Sequence, residues 1–290
     1  MSHFATPGVR EARAALAARL RELRLDAGIT GKELAGRCGW SVAKSSRIEN
    51  ALTAPSDADI RAWCTACDAD GQAADLVAAN RQADSMYVQW KRLQRTGMRR
   101  LQETSARQYE RTRLFRVYAS HVIPGYLQTP GYATALMSTI AAFRGTPDDV
   151  SEAVEARMRR SRVVHEGDHR FATLIEENVL HHRVGGADVM AGQLGSLLAT
   201  MALPSMSLGI IPAAAPREQV MWPLEQFTVF DDARIQVELL AAKVTVTAPG
   251  ELEIYLRAFA RLTELAVYGA EARALILKAI EALDAGTTGP

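Results

Sequence analysis

The chain has no run of about 18 consecutive apolar residues, the length a membrane-crossing helix needs. Its opening stretch, MSHFATPGVREARAALAARL, lacks the uninterrupted apolar centre of a signal peptide. Together these absences predict a cytoplasmic protein with no membrane association. Cysteine is scarce: three in 290 residues, an odd number that makes no disulfide framework in a chain this size. There is no phosphate loop, no G-x-S-x-G elbow and no Rossmann glycine pattern, so no residue is assigned a catalytic reaction and no cofactor is implied. Excess charge is missing too. A net charge of +1 taken alone argues against a nucleic-acid binder.

The distribution of that charge argues the other way. Residues 1–55 hold nine basic and five acidic residues, residues 56–85 two and six, and residues 86–120 nine and two. Two basic blocks flank an acidic stretch and the remainder is acidic, a segregation that can steer DNA binding although the sum is near zero. Hydrophobic content of 48% and charged content of 23% are ordinary for a globular protein, and the length allows two domains.

Residues 29–51, ITGKELAGRCGWSVAKSSRIENA, read as two short helices joined by a tight turn. Thr30 and Glu33 form a capping box, with Ile29 stapled to Leu34. Gly39 follows Cys38 where a left-handed residue is wanted, and Ser41 is a second N-cap, opening a helix over residues 42–50. Ile48 faces the core. On geometry alone this is either an ordinary helical hairpin or a pair that sets its second helix in the major groove.

The segment ELAGRCGWSVAKSSRIENA resembles the core of Xre-type helix-turn-helix regulators through Leu34-Ala35, Gly39-Trp40-Ser41 and Ser46-Arg47-Ile48-Glu49-Asn50. It departs at Ser45, where that family has Ile or Val, a loss of roughly 1 to 2 kcal/mol of burial. The resemblance places base reading on Val42, Ala43, Ser46 and Arg47, and phosphate contact on Ser41 and Lys44. Arg47 can bond a guanine edge bidentately, whereas Val42 and Ala43 offer only apolar contact, so direct readout is sparse.

Around this hairpin, a first helix over residues 13–26 carries Leu16, Leu20 and Leu23 and ends at Gly28. Ser56 and Asp59 cap a fourth helix with the stripe Ile60, Trp63, Cys64 and Cys67, and a fifth spans residues 72–84. The expectation is α+β overall: an all-α five-helix domain over residues 1–82, a basic helical linker over 83–112, and a mixed domain with a largely antiparallel sheet over 113–290. Within the linker, residues 86–111 read as one helix with Trp90, Leu93 and Leu101 on one side and Lys91, Arg92, Arg95, Arg99 and Arg100 elsewhere. A solvated connector, a dimerising helix and a phosphate-contacting surface all fit it.

Beyond residue 113, strands are expected over 114–120, 171–176, 205–211, 226–230, 234–240 and 244–247. Short links between neighbours favour antiparallel pairing. Helices are expected over 130–142, from Pro147 as the first helical residue to about 165, and over 187–202, 251–268 and 270–283. The segments HVIPGYLQTPGYA, ARMRRSRVVHEG, VGGADVMAGQL and YLRAFARLTELAVYGAEARALI resemble the large C-terminal domain found behind Xre-type helices in bacterial regulators of the WhiJ type. That resemblance implies a developmental or secondary-metabolism regulator, often encoded beside a small partner protein and likened to antitoxins.

Three clusters suggest other chemistry. His165-Glu166-Gly167-Asp168-His169 fits H-E-x-x-H, a zinc-protease signature only when both imidazoles share one face of a continuous helix, and Gly167 and Asp168 predict a turn instead. Cys64 and Cys67 have C-x-x-C spacing, but with Cys38 they read as small core hydrophobes, redox sensing being the alternative. Glu176, Glu177, His181 and His182 read as surface residues rather than a metal site. The expected function is a sequence-specific, homodimeric, DNA-binding transcriptional regulator and not an enzyme, whose C-terminal domain senses a partner protein or ligand. The alternative is an antitoxin-like module that binds a small neighbour-encoded protein and uses DNA binding for autoregulation.

Overall fold

The computed structural model describes residues 7–285, and the chain divides into two compact units, Met1–Val88 and Gln89–Pro290. The first unit is five helices: α1 (Pro7–Asp26), α2 (Gly31–Arg37), α3 (Val42–Glu49), α4 (Asp57–Ala66) and α5 (Ala73–Met86). Their boundaries follow local chemistry. Both capping boxes form, Thr30 with Glu33 ahead of α2 and Ser56 with Asp59 ahead of α4. Gly28 and Gly39, at φ of 68° and 67°, take the left-handed turns that separate α1, α2 and α3. The apolar stripes of these helices close over one core, in which Leu20, Leu34, Ile60 and Trp63 have no exposed surface. The Trp63 indole N–H donates to the Leu20 carbonyl at 2.9 Å, so the largest buried ring leaves no polar atom unpaired.

The second unit is α+β. The short strand β1 (Tyr87–Gln89) spans the boundary, and the strands of the second unit are β2 (Leu114–Ala119), β3 (Arg170–Glu176), β4 (Met206–Ile211), β5 (Phe227–Phe230), β6 (Arg234–Glu238) and β7 (Ala242–Val246), in the sheet order β7-β6-β5-β2-β3-β4. The pairs β5–β6 and β6–β7 are antiparallel, as their short links predict, and β2–β5 is antiparallel as well. By contrast β2–β3 and β3–β4 are parallel. Parallel neighbours need a crossover, and the chain supplies helices for it: α8 (Pro130–Arg144) and α9 (Val150–Ser161) between β2 and β3, then α10 (Glu177–His181) and α11 (Ala187–Thr200) between β3 and β4. Helices α12 (Pro249–Leu265) and α13 (Gly269–Ala285) close the chain. Phe115, Phe171 and Phe230 sit on one face of the sheet, with Phe115 stacked on Phe171 at 4.5 Å between ring centres.

The expected basic helix over 86–111 is not one element. It resolves into β1, the short α6 (Trp90–Leu93), a turn at Gly97 and α7 (Arg99–Arg111). The stretch is no free connector either. Trp90 is buried and donates its indole N–H to the Leu239 carbonyl, the Arg144 guanidinium lies 4.5 Å over its ring, and Gln102 on α7 is buried. Arg95, Arg99 and Arg100 are exposed, whereas the side chains of Lys91 and Arg92 lie outside the described residues.

The α9 start also differs from expectation. The helix begins at Val150, not at Pro147, and Asp149 makes no side-chain cap on it. The Asp149 carboxylate instead accepts from the backbone N–H groups of Met98 and Arg99, at 2.8 Å each, and so caps α7 from some fifty residues away. Gly97 makes this possible: at φ 97° a Cβ there would meet Asp149 Oδ2 at 2.1 Å. Asp149→Ala is expected to lower unfolding free energy by about 1 to 2 kcal/mol, a loss that chemical denaturation of the full chain would measure.

Candidate nucleic-acid interface

The physical requirement for groove binding is a helix anchored on one side and bare on the other. In α3 the anchored side is Ser45 and Ile48, both buried, and the bare side is Val42, Ala43, Ser46 and Arg47, all exposed. The Ser41 hydroxyl accepts from the Lys44 backbone N–H at 3.3 Å, forming the expected N-cap, and Gly39 sets the turn before it. Trp40 tucks beside Trp63 with ring centres 6.3 Å apart.

Ser45 does not leave a polar orphan in the core. Its hydroxyl donates to the Val42 carbonyl at 3.0 Å, and the α2 backbone comes close enough that the Gly31 carbonyl lies 3.5 Å away. Behind the helix, Arg24 at the end of α1 donates through Nη1 to the Ile29 carbonyl and through Nε and Nη2 to Glu49 at 3.1 and 2.5 Å. With side chains only 11% and 13% exposed, this pair locks the end of α3 onto α1. The sequence pattern marks Glu49 as part of the Ser-Arg-Ile-Glu-Asn ending but carries no sign of a partner 25 positions away.

Lys44 is not a free cation. Its ammonium lies 2.6 Å from Asp59 and 4.3 Å over the Trp40 ring, so the phosphate-contacting role expected of it competes with two intramolecular attractions. Arg47, in contrast, is exposed and no described residue bonds its guanidinium.

The other clusters fall into place around this geometry. Burial raises the thiols of Cys64 and Cys38, and pushes Cys67 up to about 11, which favours the thiol over the thiolate form of each. Residues 165–169 form a turn and bends, with Gly167 at φ 79°, and the two imidazoles share no helix face. Among the described residues no group of His, Cys, Asp and Glu is placed to hold a metal ion, and no helix is long and apolar enough to cross a membrane.

Glu176 corrects the surface reading of its cluster. It is buried, accepts from the Tyr118 hydroxyl at 2.7 Å and pairs with Arg217 at 2.5 Å. Glu177 accepts from the Ala213 N–H, while His181 and His182 are exposed. Glu176, His121, His182 and Arg217 line a crevice of about 570 Å³ just past the ends of β2, β3 and β4. The carboxyl ends of parallel strands are where α/β sheets take ligands.

Burial tends to raise the Asp59 carboxyl, but the Lys44 ion pair and the Ser56 hydrogen bonds outweigh it and hold the group below its ordinary 3.8. A depressed carboxyl stabilises the fold above its unfolded-state pKa and loses that contribution as pH falls through the folded value. Wild type should therefore exceed Asp59→Asn in stability at neutral pH, with the gap closing as the solution is acidified below 3.8, which urea titrations across that range would show.

Two family models match the chain: one described as a helix-turn-helix domain over residues 15–77, the other as a domain of unknown function, DUF5753, over residues 103–278. No curated protein and no solved structure matches it. The first match spans α2, α3 and α4 and makes the N-terminal unit a helix-turn-helix DNA-binding domain. The second spans more than half of the sequence, and on that footing the chain belongs to the DUF5753 family.

Proposed function

We propose that the protein is a sequence-specific transcriptional regulator of the Xre type, of the WhiJ kind, that binds duplex DNA as a homodimer and responds through its second unit to a small molecule or partner protein. The observation that carries this reading is the two-sided burial of α3, with Ser45 and Ile48 enclosed and Val42, Ala43, Ser46 and Arg47 presented to solvent. Arg47 reads a guanine edge, Ser46 adds a hydrogen bond, and Val42 and Ala43 lie against thymine methyls. Ser41 and the first-turn amides of α3 meet a phosphate at the positive end of the helix, with Lys44 joining them on release from Asp59.

A lone domain with so few base contacts gains specificity by pairing, two copies reading half-sites about one helical turn apart. The crevice of about 570 Å³ at the strand ends supports a small molecule as the signal, because its volume suits a ligand rather than a protein surface.

Selection from a random duplex pool would supply the operator. Arg47→Ala is expected to weaken operator binding by roughly 1 to 3 kcal/mol while changing random-sequence binding much less. Equal losses on both duplexes would show that Arg47 meets only phosphate and would overturn its base-reading role.

A further inference from the structure

Two half-buried cations of the second unit have an acidic neutraliser, Arg217 with Glu176 and Arg116 with Asp232. Arg144 has only the Gln94 side chain and the Trp90 ring. Three more have no acid bonded to them either. On α9, Arg157 donates to the side-chain oxygens of Gln102 and Gln128, at 3.3 and 2.5 Å, both neutral. One helical turn along, the Arg160 guanidinium lies 4.5 Å over the Tyr109 ring, and its Nε is buried with no hydrogen-bond partner. On β7, the Lys243 ammonium makes no hydrogen bond or ion pair to any described residue, although Glu238 stands opposite it across the β6–β7 ladder.

All three groups lie on one side of the sheet. Strand register puts Lys243 and Glu238 on the same face as Arg234 and Phe230, and Tyr109 of α7 packs edge-on against Phe230, so α7 covers that face. Helix α9 packs on α7. The two guanidiniums meet over Gly125: a Cβ built there would lie 3.3 Å from Arg160 Nη2 and 3.6 Å from the Arg157 guanidinium carbon. The group is therefore two cations from one helix and one from the sheet, with Glu238 as the acid beside Lys243 and the exposed Arg234 further along the same face.

Like charges drawn out of water and left without counter-charges are unfavourable, and a fold tolerates them when a ligand supplies the opposite charge. Burial pushes Arg157 down to about 10, with the Arg160 charge pressing the same way, and burial likewise lowers Lys243 against the pull of Glu238. Guanidiniums suit such a ligand because their planar forks match oxyanions bidentately.

We infer that Arg157, Arg160 and Lys243 form a binding site for a small molecule bearing a multiply charged oxyanion, either a phosphate or a cluster of carboxylates. The site is distinct from the strand-end crevice, whose arginine is already neutralised by Glu176. It also stands apart from the DNA-binding reading, since it uses no residue of the first unit.

The test is isothermal titration of the full chain with sodium pyrophosphate and, separately, trisodium citrate, at ionic strength held constant with sodium chloride. Saturable one-to-one binding of either anion is expected, weakened by about tenfold or more in Arg160→Met and in Lys243→Met, because each loses one charge-assisted contact. Preference for pyrophosphate or for citrate identifies which oxyanion the site takes. The half-exposed Lys243 position keeps the test valid should Arg160→Met fail to fold. Absence of saturable binding by both anions, or unchanged affinity in a folded Lys243→Met protein, would overturn the inference.

Discussion

Everything the N-terminal unit does depends on the core behind α3. Leu20 from α1, Leu34 from α2, Ile48 from α3 and Trp63 from α4 converge in one fully buried cluster, so four helices hold one another at fixed angles. A buried tryptophan of this kind contributes about 3 to 5 kcal/mol by comparison with alanine, a large part of the stability of a domain this size. The helix that emerges on the far side is short, eight residues, and would not persist alone in water. Its helicity and its orientation are consequences of packing, and the exposed residues are free to differ because they do none of that work.

Electrostatic contacts refine this frame rather than build it. The Arg24–Glu49 pair ties the end of α3 to α1, where partial burial makes the geometry count for more than in an exposed pair. Lys44 and Asp59 couple the start of α3 to the cap of α4. Asp59 thus serves two ends at once: it completes the capping box with Ser56 and neutralises the one lysine of α3. The presented face is consequently less basic than its composition suggests, with Arg47 as its exposed charge.

Elements whose causes are local were legible in the sequence. Thr30 and Glu33, Ser56 and Asp59, Gly39, and the apolar spacing of Leu16, Leu20 and Leu23 each act within a few residues, and the structure places each as read. What escaped was long-range. Asp149 reads as the start of its own helix but caps α7, because the Gly97 turn brings that helix end against it. Residues 86–111 keep a helical charge pattern across a break that tertiary pairing imposes, with Trp90 held by Leu239 and Ala241. The parallel half of the sheet was hidden for the same reason, since a crossover looks in sequence like any helix between strands. On the candidate interface, the exposure of Val42, Ala43, Ser46 and Arg47 follows from Ile48 facing inward, whereas the capture of Lys44 by Asp59 has no local signature.

The claim most open to direct measurement is that α3 is the element that enters the groove. Its first-turn amides, at Val42 and Ala43, have no intrahelical acceptor and are expected to exchange fast in the free protein. Amide hydrogen exchange on the full chain, with and without a selected operator duplex, reads this at single residues. Slowed exchange at Val42 and Ala43, with the core amides of α1 and α4 unchanged, is the predicted result. Slowing confined to other elements while residues 41–47 stay as fast as in the free protein would contradict it.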